Sequence, residues 1–107
     1  MSKDLFDRDL PPPHPGEILR EDMLPRLGLS LADLAKHLGI SSALLADFVA
    51  ERVSVTADLA MRLGKALGHG ARYWLGLQMQ HDLWVTQTME APRVKRVEWH
   101  PQALARS

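Results

Sequence analysis

Five histidines, His14, His37, His69, His81 and His100, are the side chains of this 107-residue chain best suited to hold a metal or move protons. None pairs with another at i,i+4 spacing, and with no cysteine in the chain a zinc site lacks its usual ligands. Glu17 and Glu21 share one helical face, but Arg20 beside them gives that face the look of a solvated, charged surface. His81 and Asp82 are sequence neighbours and face different directions on a helix, which argues against an acid–base dyad. No glycine-rich phosphate loop and no nucleophile motif appears. These residues point away from catalysis, and no metal or other cofactor is expected.

A different chemistry, hydrogen bonding to base edges and phosphates, is offered by residues 30–56, SLADLAKHLGISSALLADFVAERVSVT. Ser30 has the side chain of a helix N-cap, and Asp33 three residues on completes a capping-box pattern. Leu31, Leu34, Ala35 and Leu38 recur at helical spacing, and Gly39 supplies a left-handed residue to end the helix. Ser41 opens a second helix with Leu44, Leu45, Phe48 and Val49 as its apolar face. A connection this short forces the two helices into contact. The pattern predicts a helix-turn-helix and, with it, DNA binding.

Charge gives such a reading little help. Thirteen basic and thirteen acidic residues cancel, whereas affinity for a duplex comes largely from neutralised phosphates. Residues 1–29 carry four bases and six acids, residues 30–88 five and five, and residues 89–107 four and two. A positive face must therefore be local or be assembled by pairing two chains. No apolar run approaches a membrane span, and MSKDLFDRDLPPPHP carries acids where a signal peptide needs bases and an apolar core. A cytoplasmic, non-membrane protein is expected, in keeping with the absence of cysteine.

The elements that must position the motif follow from the same periodicities. Residues 1–13 form an N-terminal segment that is disordered or extended, with Pro11, Pro12 and Pro13 favouring polyproline geometry. A first helix is predicted from His14 to Leu24, with Pro15 in its first turn and Ile18, Leu19, Met23 and Leu27 as its apolar face, closed by Pro25 and Gly28. Thr56 caps a fourth helix whose apolar positions are Leu59, Ala60, Leu63, Ala66 and Leu67, ended by Gly68 and Gly70. A fifth is predicted from Ala71 to about Gln87, with Trp74, Leu75, Leu77 and Leu83 buried. The fold class is all-α, a compact five-helix bundle over residues 14–88. The tail, 89–107, contains RVKRVEW, which reads either as a short strand for a partner chain or as a flexible basic segment.

Three separated motifs carry a resemblance. HPGEILREDMLPRLGLSLADLAKHLGIS, the T-A-D-x-A-x-R-L-x-K-A-L-G pattern at Thr56–Gly68, and YWLGLQMQHDL at Tyr73–Leu83 occur in the order seen in the HigA/VapI antitoxin family. The chain resembles that family, a branch of the XRE-type helix-turn-helix proteins with a lambda-repressor-like fold, over roughly residues 14 to 88. The resemblance implies a homodimer that binds a palindromic operator in double-stranded DNA at its own promoter. It also implies a tight complex with a small HigB-like toxin, a ribosome-dependent ribonuclease.

Carried over position by position, the resemblance puts Ser42, Ala43 and Leu44 where the family commonly has Arg, Gln and Thr at the start of the recognition helix. Ala50 and Glu51 stand in place of Asn-Gly, and Asp47 adds an acid. A serine lacks the bidentate fork of Arg or Gln. The DNA-contacting set is expected to be Ser30, Lys36, Ser41, Ser42, Ala43, Asp47, Arg52 and Ser54. Of these, Ser41 has an equal reading as N-cap alone, and Lys36 as a solvated lysine. Leu44 reads as core or as a contact to a thymine methyl. Tyr73, Met79 and Trp84 are dimer-interface candidates, with core packing the alternative, while Trp74 is expected in the core. The segment from Lys3 to Pro13 and the tail from Met89 are the candidates for holding a toxin. Two functions stay open: an autoregulatory antitoxin, or an orphan regulator or protein–protein module whose DNA surface has weakened.

Overall fold

A computed structural model describes residues 11–100, which contain five helices and no strand. Helix α1 spans residues 15–27 in three consecutive pieces: an α-helical turn Pro15–Ile18, a π-helical turn Leu19–Met23 and a second α-helical turn Leu24–Leu27. Helices α2 (Leu31–Leu38), α3 (Ser42–Val49), α4 (Ala57–Leu67) and α5 (Gly70–Glu90) follow. Pairing of α4 with α5 is the most extensive, α1 lies against α3 and α5, and α2 packs on α3 and α4.

Helix starts follow the hydroxyl caps. Ser30, Ser41 and Thr56 each accept a hydrogen bond from the backbone N–H three residues on, at 3.0, 3.0 and 3.1 Å, satisfying donors that a helix start leaves open. The cap of α1 is a histidine. His14 Nδ1 accepts from Gly16 N–H at 2.9 Å, and Pro15 occupies the first turn.

Pro25 does not close the first helix. In an unbroken α-helix its ring would meet the carbonyl of Glu21. The chain widens instead, so that Leu24 N–H bonds the carbonyl of Leu19, and Pro25 falls in the first turn of the next helical piece, where a missing N–H costs little. The helix then runs on to Leu27 and ends at Gly28.

The core is built from Leu19, Leu34, Leu38, Leu45, Phe48, Leu59, Leu63 and Trp74. Leu44, Leu75 and Leu83 are not part of it. Leu44 is 39% exposed on the flank of α3, and Leu75 and Leu83 project from the outer side of α5. On the fourth helix Ala66 is exposed and Leu67 only partly buried. The last helix starts at Gly70 and continues through Glu90, beyond the expected end near Gln87, because no proline or glycine follows Gln87 until Pro92. Residues 91–100 are exposed and have no regular structure, so no strand forms there. Residues 1–10 of the N-terminal segment and 101–107 of the tail lie outside the described residues.

Candidate nucleic-acid interface

Helix α3 turns Leu45, Phe48 and Val49 inward. At about 100° per residue its opposite side carries Ala43, Asp47 and Ala50, flanked by Ser42 and Ala46 on one edge and Leu44 on the other. Ser42, Ala43 and Ala50 are exposed, and Ala46 and Asp47 half-buried. Ser41 is the N-cap, and Ser30 caps α2. Each uses its oxygen as an acceptor within the chain and keeps its hydroxyl proton for an outside acceptor. Lys36 is exposed and makes no ion pair among the described residues. Arg52 and Ser54 are exposed in the loop after α3, where Arg52 is paired with Asp47 at 2.8 Å.

Two arginines hold the helix pair in place. From α1, Arg20 Nη1 donates to the carbonyl of Val49 at the end of α3, and both terminal nitrogens reach the Glu51 carboxylate at 3.2 Å. From α4, Arg62 Nη1 donates to the carbonyl of Leu38 at the end of α2 at 2.8 Å, with its Nε on Asp58. Each clamp satisfies a carbonyl that a helix end leaves open and places positive charge at the negative end of the dipole. Arg20 is therefore not part of a merely solvated surface, although it also pairs with its neighbour Glu21 at 2.8 Å. Neither clamp was legible in the sequence. The partners lie 29 and 24 residues away, and a backbone carbonyl carries no residue-type signal.

Similarity to known proteins decides what this helix pair belongs to. Virulence-associated protein I of Dichelobacter nodosus is 44% identical over 83 residues, covering 78% of this chain and 77% of that protein. Antitoxin HigA-1 of Vibrio cholerae is 30% identical over 83 residues, 78% of each chain. The chain belongs to the HigA/VapI antitoxin family. Among solved structures, Pseudomonas aeruginosa antitoxin HigA with the higBA promoter superimposes with a TM-score of 0.67 at 33% identity, over 80% of this chain and 99% of that one. No protein-family model matches the chain.

Within the HigA/VapI family, the departures now have structural partners. Glu51, where the family commonly places glycine, adopts φ 65°, a conformation that costs a non-glycine residue about 1–2 kcal/mol. Its N–H bonds the carbonyl of Phe48 at 2.9 Å, and Arg52 N–H bonds that of Asp47 at 2.8 Å, a Schellman ending that holds the turn despite the side chain. The Glu51 carboxylate meets Arg20 there, which no glycine could do.

Behind the interface lies a polar cluster. His14 is buried, its ring edge-on to His81 with centroids 5.2 Å apart and 5.8 Å from Phe48. His81 Nδ1 donates to the carbonyl of Pro12 at 2.9 Å, which fixes its tautomer. Buried Gln78 accepts from Val55 N–H at 2.8 Å and donates to Asp82 at 3.0 Å. Burial first, and His81 second, push the His14 pKa down, while Glu51, the Val53 backbone and Asp82 oppose them.

The dimer candidates separate onto two lines of α5. Met79 is exposed on a ridge with Leu75 and Leu83 at i,i+4 spacing. Tyr73, stacked on His69 at 4.6 Å, and half-buried Trp84 lie on a second line. Trp74 is fully buried, and its Nε1 has no hydrogen-bond partner among the described residues.

Proposed function

We propose that this chain is the DNA-binding antitoxin of a HigBA-like toxin–antitoxin pair, acting in the cytoplasm as a homodimer on a palindromic operator and holding a ribonuclease toxin inactive. Its role is regulatory and stoichiometric, without catalysis or cofactor. The observation that carries the reading is α3, a capped and clamped helix on whose outer side no other helix packs among the described residues, in a fold shared with a HigA solved with its promoter. In this reading Ser42, Ala43 and Asp47 face the major groove, and Ser30, Lys36, Ser41, Arg52 and Ser54 meet the operator around them. Tyr73, Met79 and Trp84 are proposed for the dimer contact, which sets two recognition helices about 34 Å apart. Residues 14–88 make up the DNA-binding domain, with the flanking segments left for the toxin.

The test is a gel shift with the promoter fragment upstream of the chain's own reading frame, run across a salt series. Sequence-specific retardation that weakens steeply with salt is expected, by about 0.9 in log–log slope per phosphate neutralised. Equal retardation of promoter and random duplex, or none at low salt, overturns the operator reading. Exposed Leu44 favours, in that event, a module kept for protein partners.

A further inference from the structure

The acid on the outer side of α3 looks at first like a fault in a surface that must approach phosphates. Its geometry gives it another role. Arg52 directs Nε at 3.0 Å and Nη2 at 2.8 Å onto the same Asp47 oxygen, Oδ1. A guanidinium carries five N–H donors. This side-on pairing uses two of them and leaves the end-on edge, one N–H from each terminal nitrogen, parallel and unengaged among the described residues. Arg52 is tied a second time through its backbone N–H to the Asp47 carbonyl, in the turn that Glu51 completes. Both side chains are accessible, 64% for Arg52 and 43% for Asp47. Their neighbours along the same side of the helix, Ala43 and Ala50, do not extend past Cβ and cannot screen the guanidinium.

We propose that Asp47 is a positioning residue for Arg52, holding its free edge toward two coplanar acceptor atoms on the operator. This rests on the DNA-binding reading above and deepens it. Such an acceptor pair is supplied either by guanine O6 and N7 or by two oxygens of one phosphate. A guanidinium fixed by a carboxylate has less side-chain freedom to lose on binding, so the contact is worth more than that of a freely rotating arginine. The pair thus offers a bidentate reader at a position outside the usual start of the helix, where this chain has only Ser42 and Ala43.

The prediction has a sign that simple electrostatics would reverse. Removing an acid beside a polyanion should tighten binding, whereas removing a buttress should weaken it. Wild type, Asp47→Ala, Arg52→Ala and the double variant are titrated with the promoter duplex by gel shift, after melting curves establish that all are folded, as expected for an exposed pair. Arg52→Ala should weaken binding about tenfold per half-site, the value of one bidentate contact, and so about a hundredfold for a dimer on both half-sites, and Asp47→Ala a few-fold, with the double variant no weaker than Arg52→Ala alone. Repeating the Arg52→Ala comparison on a duplex carrying 7-deazaguanine separates the sources. If that loss shrinks the acceptor is guanine, whose N7 is gone while O6 remains, and if it persists in full the acceptor is phosphate. Equal or tighter binding by Asp47→Ala overturns the proposal, as does an Asp47→Ala loss that remains in the Arg52→Ala background. Failure of the wild type to shift the duplex at all would count against the operator reading itself.

Discussion

His14 shows how much one buried side chain can tie together. It caps α1 through Nδ1, touches Phe48 of α3 and meets His81 of α5. Protonation would turn the accepting nitrogen into a donor and break the cap. Because its pKa is lowered in the folded chain, the folded state binds fewer protons than the unfolded state around the ordinary value near 6.5. Its contribution to stability is complete above that value and is lost as pH falls from there toward the lowered folded-state pKa. His14→Asn keeps an acceptor suited to an N-cap but does not titrate. The melting temperature of the wild type should therefore fall more steeply than that of His14→Asn between about pH 7 and pH 5. Parallel curves from calorimetry would reject this role for His14.

At the scale of elements, the recognition helix is positioned by backbone proximity as much as by side chains. A Cβ on Gly16 would lie 1.9 Å from the carbonyl oxygen of Phe48, so α1 rests directly on the end of α3. Gly16→Ala must push the two helices apart and strain the Arg20 clamp on Val49. The expected cost is about 3 kcal/mol, the upper end for overpacking, or roughly 12 °C or more in Tm. Thermal unfolding followed by circular dichroism measures it, and a melting temperature within a degree or two of wild type would contradict the close packing. The π-helical turn in α1 belongs to the same scale, since it lets a helix containing Pro25 run on to Gly28.

For the whole molecule, a formal net charge of zero means that no broad positive field draws DNA in. In the proposed complex, affinity must come from a few directed contacts, doubled by two-fold pairing. The Leu75, Met79 and Leu83 ridge on α5 offers apolar surface for that pairing. Met79→Glu alters an exposed position and should leave the fold intact, while converting a species of twice the chain mass to monomer in size-exclusion chromatography with light scattering. Operator affinity should fall with it, because two half-sites are then no longer bound together. A variant that stays dimeric would remove Met79 from the interface.

By itself the sequence determined the helices and the motif. Hydroxyl caps at Ser30, Ser41 and Thr56 and the 3.6-residue spacing of Leu34, Leu38, Leu59 and Leu63 are local signals, and the structure follows them. The three separated motifs carried the family in the same way. Leu75 and Leu83 were misplaced, and Leu44 read two ways, because periodicity marks an apolar residue without saying whether another helix covers it. Pro25 misled because its local rule assumes an unbroken α-helix. Only the tertiary structure decided what Arg20, Arg62, Asp47, Arg52 and His14 do. Their partners are backbone carbonyls, a carboxylate around the end of a helix, or a ring far along the chain, and contacts of that kind arise from packing rather than from residue spacing.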